Sequence, residues 1–363
     1  MGKILFVSRD FEKACDGGAV VARQHWEYVI QLSEGNAERL FIQKSSHLSL
    51  LRNLILHKGY GETSALMHRF REMAANADII WVDGSLYGGI VREAARLGKR
   101  VVCFYHNIEA NYYGAKADLA RNPADRLMAY FAKSNERKST RFASTRLLLN
   151  ERDNAELQRI YGVKADFIQP ISFKAVPKEK IEAKIDPGMK PYLLFVGSRF
   201  FANEEGVDWF LERVMPGVSP DIDFRVVGTI CDALRDRTLP PNVHLEGRVE
   251  HLTPWYANAM AVVSPIFTGS GMKTKTIEAL RFGRRVLGTK EAFVGLPQEV
   301  LSGIGAYCCS ASDFINEINR LPVDCHVHNP SYRLFLEKFS ELAVYKDLKD
   351  FWDRRFSDAD SLR

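Results

Sequence analysis

The chain has 363 residues, 46% of them hydrophobic and 26% charged, with a formal net charge of +5. At roughly 150 residues per domain this suggests two domains, large enough to bury their cores without metal or disulfide staples. No apolar run approaches the roughly 20 residues that span a bilayer. Integral membrane, collagenous, disulfide-rich and disordered classes are therefore excluded. The opening Met1-Gly-Lys-Ile-Leu-Phe-Val-Ser is too short an apolar stretch for a signal peptide and reads as a first buried strand. Six cysteines without a CxxC point to inert thiols in a reducing cytoplasm. Cys325-His326-Val327-His328 reads either as a loop or as a small metal cluster. Met1 to Ser172 holds 25 basic and 19 acidic residues, net +6; the remainder holds 25 and 26, net −1. The basic half permits anionic partners.

Short apolar runs alternate with longer amphipathic ones. Predicted strands are Lys3–Ser8, Arg39–Ile42, Asp78–Asp83, Arg100–Tyr105, Arg146–Leu149 and Asp166–Ile168, with helices such as Ala19–Leu32, Leu86–Leu97 and Asp125–Thr140 between them. Runs such as Ile-Leu-Phe-Val and Ile-Ile-Trp-Val are apolar without alternation. That suits strands covered on both faces, hence parallel α/β sheets. Gly17 and Gly18, ahead of the first helix, form a candidate backbone cradle. Asp83, after the third strand, and Asn107 and Glu109, after the fourth, are candidates for binding acceptor hydroxyls, because ligands gather at strand ends in such sheets.

Two basic stretches follow from the charge count: His47 to Lys58, and Lys133, Arg137, Lys138, Arg141 and Arg146. They read either as solvated helix faces or as a seat for an anionic membrane surface or a lipid-diphosphate acceptor. Nucleic acid is not expected, since basic and aromatic residues do not interleave. Residues 173–191 are charged and carry three prolines, which reads as a linker. The expected division is 1–172, an N-terminal acceptor domain; 173–191; 192–340, a C-terminal nucleotide-sugar domain; and 341–363, a helical segment rich in aromatics. In the third region the alternation restarts with strands Tyr192–Val196, Asp223–Val227, Val243–Leu245, Met260–Val263 and Arg285–Leu287, and helices Asn203–Val214 and Lys273–Phe282. Two doubly wound halves place a cleft between the carboxyl ends of two sheets.

The most informative stretch is Val262 to Gly288. A strand ends at Ser264-Pro265, a turn Gly269-Ser270-Gly271-Met272 follows, and a helix starts near Lys273. The first turn of a helix carries partial positive charge, so Lys273 and Lys275 are unfavourable there unless an anion docks. Glycines let a backbone approach that anion, and phosphate is the usual guest. Glu278, one turn deeper, is placed to accept hydrogen bonds from a ribose diol. The plainer alternative is a Lys275–Glu278 surface ion pair beside an ordinary turn.

Gly-x-Gly-x-Lys-x-Lys-x-x-Glu-Ala-Leu, followed by Phe-Gly and a strand, resembles the donor-nucleotide segment of GT-B glycosyltransferases, specifically retaining family 4 (group 1). The resemblance extends back through Val243–Pro265 and through Phe195–Phe210, and is good over about Tyr192 to Pro297. It implies a GT-B fold of two Rossmann-like domains. The implied reaction transfers a sugar from a nucleotide-diphosphate sugar to a glycan or lipid-linked hydroxyl, with retention, in envelope polysaccharide synthesis on the cytoplasmic side. No cofactor beyond the sugar nucleotide is expected. It implies that His106 touches the donor sugar, that Gly17 and Gly18 approach the reacting centre, and that Arg199, Lys273 and Lys275 hold the diphosphate, with His106 and Lys275 as the catalytic pair. Two departures stand out. Ser270 occupies the place of a donor-sugar glutamate, and Glu205, beside Gly206, replaces a lysine six residues after Arg199. Asn203 is expected to cap its helix rather than touch ligand. Asp221-Ile222-Asp223 leads into a strand rather than leaving one, so it is not expected to hold a metal. A nucleotide-sugar epimerase of this architecture and an inactive nucleotide-binding protein remain open. A nicotinamide dehydrogenase is a distant option without a G-x-G-x-x-G after the first strand.

Overall fold

Ile4-Leu5-Phe6-Val7 has no polar face, and in the computed structural model all four side chains are buried. A strand buried on both sides needs layers on both sides, and the parallel α/β sheet supplies them. The structure describes residues 2–12, 17–43, 52–53, 58–120, 122–186, 188–269, 271–322 and 326–356. Ser270, Cys325 and most of the His47–Lys58 stretch lie outside them.

The first unit comprises residues up to Pro170 together with those from Tyr345 onward. Its strands are β1 (Ile4–Arg9), β2 (Ala37–Ile42), β3 (Ile79–Asp83), β4 (Arg100–Tyr105), β5 (Thr145–Leu148) and β6 (Phe167–Ile168). All pair in parallel in the order β2-β1-β3-β4-β5-β6. The chain starts at β1, moves out to β2, then returns to β3 on the other side. The strand direction of travel therefore switches between β1 and β3, where such sheets leave a crevice at their carboxyl ends.

The second unit, Ile171–Val344, repeats the plan. Its strands are β7 (Tyr192–Val196), β8 (Asp223–Val227), β9 (Val243–Gly247), β10 (Ala261–Ser264), β11 (Arg285–Gly288) and β12 (Gly305–Tyr307). Their order is β12-β11-β10-β7-β8-β9, again all parallel. The switch lies between β7 and β10. Leu193, Phe195, Phe210, Phe224, Val263 and Phe314 fill the core.

Residues 173–191, expected to link two domains, belong to the second unit instead. Phe173 bridges to Ser340, the helix Lys178–Glu182 buries Ile181, and Asn258 ties the segment down through Asp186 N (2.6 Å) and Lys184 O (2.8 Å). Prolines and charges mark its exposed side, while single buried anchors give no periodic signal. The aromatic C-terminal helix Glu341–Phe356 packs its rings on the first unit: Tyr345 on Tyr28, Trp352 on Trp81, and Phe351 on Phe167 at 4.8 Å. Among the described cysteines, Cys103, Cys231 and Cys308 are buried, whereas Cys309 is exposed.

Candidate functional site

In the second unit the glycine turn leaves β10 at the switch point. Gly269 (φ +141°) and Gly271 (φ +66°) adopt backbone angles that side chains disfavour, so the chain turns sharply into the helix Thr274–Arg281. Lys273 is that helix's N-cap residue and supplies no capping side chain; the first turn holds no acid. Among the described residues no capping side chain accepts from the terminal N–H groups there.

Lys275 is buried, at 7% exposure. Its Nζ donates to Asn203 Oδ1 at 2.6 Å and lies 4.0 Å from the centre of the Phe195 ring, at the end of β7. No carboxylate pairs with it among the described residues. Burial, and next the charge of Lys273, push its ammonium down to about 7. Asn203 is thus the lysine's partner and holds Ser198 O (2.8 Å) with its amide; the N-cap of its helix, Phe201–Arg213, is Phe200. The expectation that Asn203 caps fails because the helix starts two residues earlier. Gly206 fixes the approach of this helix: a Cβ there would lie 2.0 Å from Pro265 O, just past β10.

Lys273 differs from Lys275. Its Nζ donates to Gly271 O (3.1 Å) and meets Glu291 Oε2 at 3.4 Å. The sequence places no acid beside it, but the fold brings one from 18 positions on. Glu278 is half-buried, with Tyr256 Oη 3.5 Å from its Oε2. Burial pushes its carboxyl up to about 7 against the pull of Arg281 and Tyr256. It makes no ion pair with Lys275. Met272 is buried, and a Cβ on Gly295 would collide with its side chain. Arg199 is exposed, with Glu204 3.5 Å away. Glu205 accepts from Thr268 Oγ1 at 2.9 Å and so tethers the glycine turn to the helix Phe201–Arg213.

In the first unit, Gly17 and Gly18 open the helix Gly17–Leu32, whose first turn holds no acid. Asp83 ends β3 at the switch point, with its side chain fully buried. Its Oδ1 lies 2.6 Å from His25 Nδ1 and its Oδ2 3.0 Å from His106 Nε2. Burial alone would raise the Asp83 carboxyl, but the two imidazoles outweigh it and hold it well below the usual carboxylate range. Burial pushes His25 down, against the attraction of Asp83. Both Asp83 oxygens are therefore engaged by imidazoles, which does not fit the expected contact with an acceptor hydroxyl. Asn107 is half-buried. Glu109 is buried at the start of the helix Glu109–Ala120, and burial followed by the charge of Glu136 pushes it up to about 8. Glu136 accepts from Glu109 N (2.7 Å), Ala110 N (3.1 Å), Tyr161 Oη (2.8 Å) and Ser85 Oγ (3.1 Å).

The residues missed by sequence reading are His25, Glu136 and Glu291. His25 sits on the buried face of a helix, where a polar residue at apolar spacing is the available signal. Glu136 is the corresponding acid on the buried face of a basic helix.

Residues 190–324 match the model of the family described as Glycosyl transferases group 1. No protein with a curated description matches the sequence. The chain is similar to the solved structure of Anabaena HepE in complex with UDP, with a TM-score of 0.66 and 12% identity over 97% of this chain and 100% of that one. It is similar to WaaG, a glycosyltransferase involved in lipopolysaccharide biosynthesis, with a TM-score of 0.63 and 15% identity over 96% and 98%. A glycosyltransferase from Rickettsia africae gives 0.60 and 12% over 97% and 98%. At these identities the likeness establishes architecture: the chain has the α/β GT-B fold, and the stretch that matches the group 1 glycosyl transferase model lies within its second unit.

Proposed function

We propose that the protein is a glycosyltransferase that moves a sugar from a nucleotide-diphosphate sugar to a hydroxyl of a glycan or lipid-linked acceptor. One observation carries this reading: a buried ammonium, Lys275, without a carboxylate partner among the described residues, stands at the uncapped start of a helix behind a glycine turn at the sheet's switch point. A buried cation in that position is matched by a diphosphate. The anion restores the proton that burial disfavours, and the same charge then stabilises the diphosphate as it leaves. Glu278 is one turn along to take the ribose diol. HepE, which shares the fold, has been solved with UDP-glucose.

We take the reaction to be retaining and metal-independent, and assign it to envelope polysaccharide synthesis. Placement supports metal independence: Asp223 begins β8, at the amino ends of the strands, whereas Lys275 follows the carboxyl end of β10, and Asp223 is engaged by Lys190 (2.6 Å), His244 (3.2 Å) and Arg225 (3.7 Å). Thermal-shift screening against UDP, GDP and ADP sugars tests the reading. A ligand at 100 times its Kd adds about 2.7 kcal/mol, so one nucleotide should raise Tm with EDTA present. No shift with any of them contradicts the proposal. Labelled donor separates transfer from epimerisation.

A second observation favours peripheral attachment to an anionic membrane. Arg126, Tyr130, Lys133, Arg137 and Arg141 recur every three or four positions along the helix Pro123–Phe142, all exposed, with Leu127 beside them and no acid on that face. No described helix is long and apolar enough to cross a membrane. Co-flotation with phosphatidylglycerol vesicles, lost on Arg137→Glu with Arg141→Glu, is the expected result; equal binding to neutral vesicles contradicts it.

A further inference from the structure

A buried carboxylate between two imidazoles, one of them reaching the surface, is an arrangement that holds the outer ring. We infer that Asp83 and His25 are positioning residues for His106: they fix the tautomer with hydrogen on Nε2 and leave Nδ1 to accept a hydrogen bond from a hydroxyl of the bound sugar.

The register places Asp83 opposite Phe104, two residues before His106, so the carboxylate and the ring stand at adjacent strand ends. Of the two rings on the buried carboxylate (0% exposed), His25 is enclosed at 3% and His106 reaches the surface at 19%. An ionised carboxylate only accepts, so each ring nitrogen facing it carries hydrogen. His25 donates Nδ1–H to Oδ1, and His106 donates Nε2–H to Oδ2. His25 is itself wedged in place, its ring 4.1 Å from Phe104 and 6.1 Å from Trp81. It therefore holds Oδ1 in a dry interior and keeps Oδ2 aimed at His106. Without that donor, Oδ1 would be a buried acceptor without a partner, and the carboxylate would rotate or take a proton.

With Nε2–H committed inward, Nδ1 is the ring atom left for a ligand; no hydrogen bond from a described residue reaches it. A bare nitrogen above a buried carboxylate suits a group with hydrogen to give. A uronate or phosphate oxygen has none and would meet the field of Asp83. The sugar face at His106 is therefore a neutral hydroxyl-bearing one.

The test is two-bond 1H–15N correlation of the histidine rings in the full chain. In its neutral ring, wild-type His106 should carry hydrogen on Nε2. Asp83→Asn and His25→Leu should each admit the other tautomer, with a fall of at least about tenfold in kcat and a smaller change in KM. His25→Asn, whose amide again offers N–H to Asp83, should recover most of both effects. Hydrogen on Nδ1 in wild type, or folded Asp83→Asn and His25→Leu proteins that keep the wild-type tautomer, would overturn the inference. The turnover arm rests on the transferase reading and the spectroscopic arm does not. A protein that shows the tautomer response without sugar transfer counts against that reading and supports the positioning.

Discussion

Replacing Lys275 with methionine is expected to raise the Tm of the ligand-free protein while cutting sugar transfer by at least about a hundredfold. The two effects share one cause. Burial moves the ammonium from its ordinary 10.5 to about 7, which corresponds to roughly 4 kcal/mol of unfavourable free energy at neutral pH. Methionine keeps the aliphatic stem and removes the charge. It also forfeits the bond to Asn203 and the contact with the Phe195 ring, a loss of about 2 kcal/mol. The net gain of about 2 kcal/mol should appear as a few degrees in Tm. The pH dependence has a definite sign. Between pH 7 and 10.5 the unfolded lysine holds more protons than the folded one, so wild-type stability should rise with pH across that window. Lys275→Met should lack this rise. Thermal melts from pH 7 to 10 check both points, and a destabilised variant with the wild-type pH slope contradicts them.

The largest stability loss is expected at Glu136. Its fully buried carboxylate gathers two backbone N–H groups at the start of the helix Glu109–Ala120, the Tyr161 hydroxyl and the Ser85 hydroxyl. Glu136→Ala leaves these donors without an acceptor. Hydrogen bonds to a charged group contribute about 1.5–3 kcal/mol each and do not add fully. Relief of the carboxylate's own burial and of its repulsion with Glu109 offsets part of the loss. A net destabilisation of about 3 kcal/mol remains, with Glu136→Gln falling between the two. Urea unfolding measures it, and a Glu136→Ala protein within about 0.5 kcal/mol of wild type would show that water replaces the carboxylate.

The parts of the fold legible in the sequence are those set by local periodicity. Buried strands such as Ile79–Asp83 announce themselves as unbroken apolar runs, and the glycine turn before Lys273 marks its own position. Gly305–Tyr307 does not, because a three-residue edge strand has no run to show. The helix Glu109–Ala120 has no apolar stripe either, and Glu136, 27 positions away, holds its first N–H groups. The candidate site divides the same way. The residue types at Lys275, Glu278 and His106 were readable, but their partners were not. Lys275 meets Asn203 across 72 positions, and Asp83 meets His25 across 58. Those pairings depend on which strand ends lie at each switch point, and the sheet order sets that. Lys273 shows the cost of local reasoning: a lysine that looks unmatched in sequence finds Glu291 in space.

If Lys275 seats a nucleotide's diphosphate as proposed, the dissociation constant of UDP should change with pH. Only the protonated lysine binds the anion well, and in the free protein it loses its proton near pH 7. Calorimetry should show the Kd of wild type rising by up to about tenfold per pH unit between pH 7 and 9. Lys275→Arg, whose guanidinium stays charged, should lose that dependence if it binds, and Lys275→Met should bind at least about a hundredfold more weakly at pH 7. A wild-type Kd that stays flat over this range, or a methionine variant that holds UDP as tightly as the lysine does, would show that Lys275 does not seat the diphosphate.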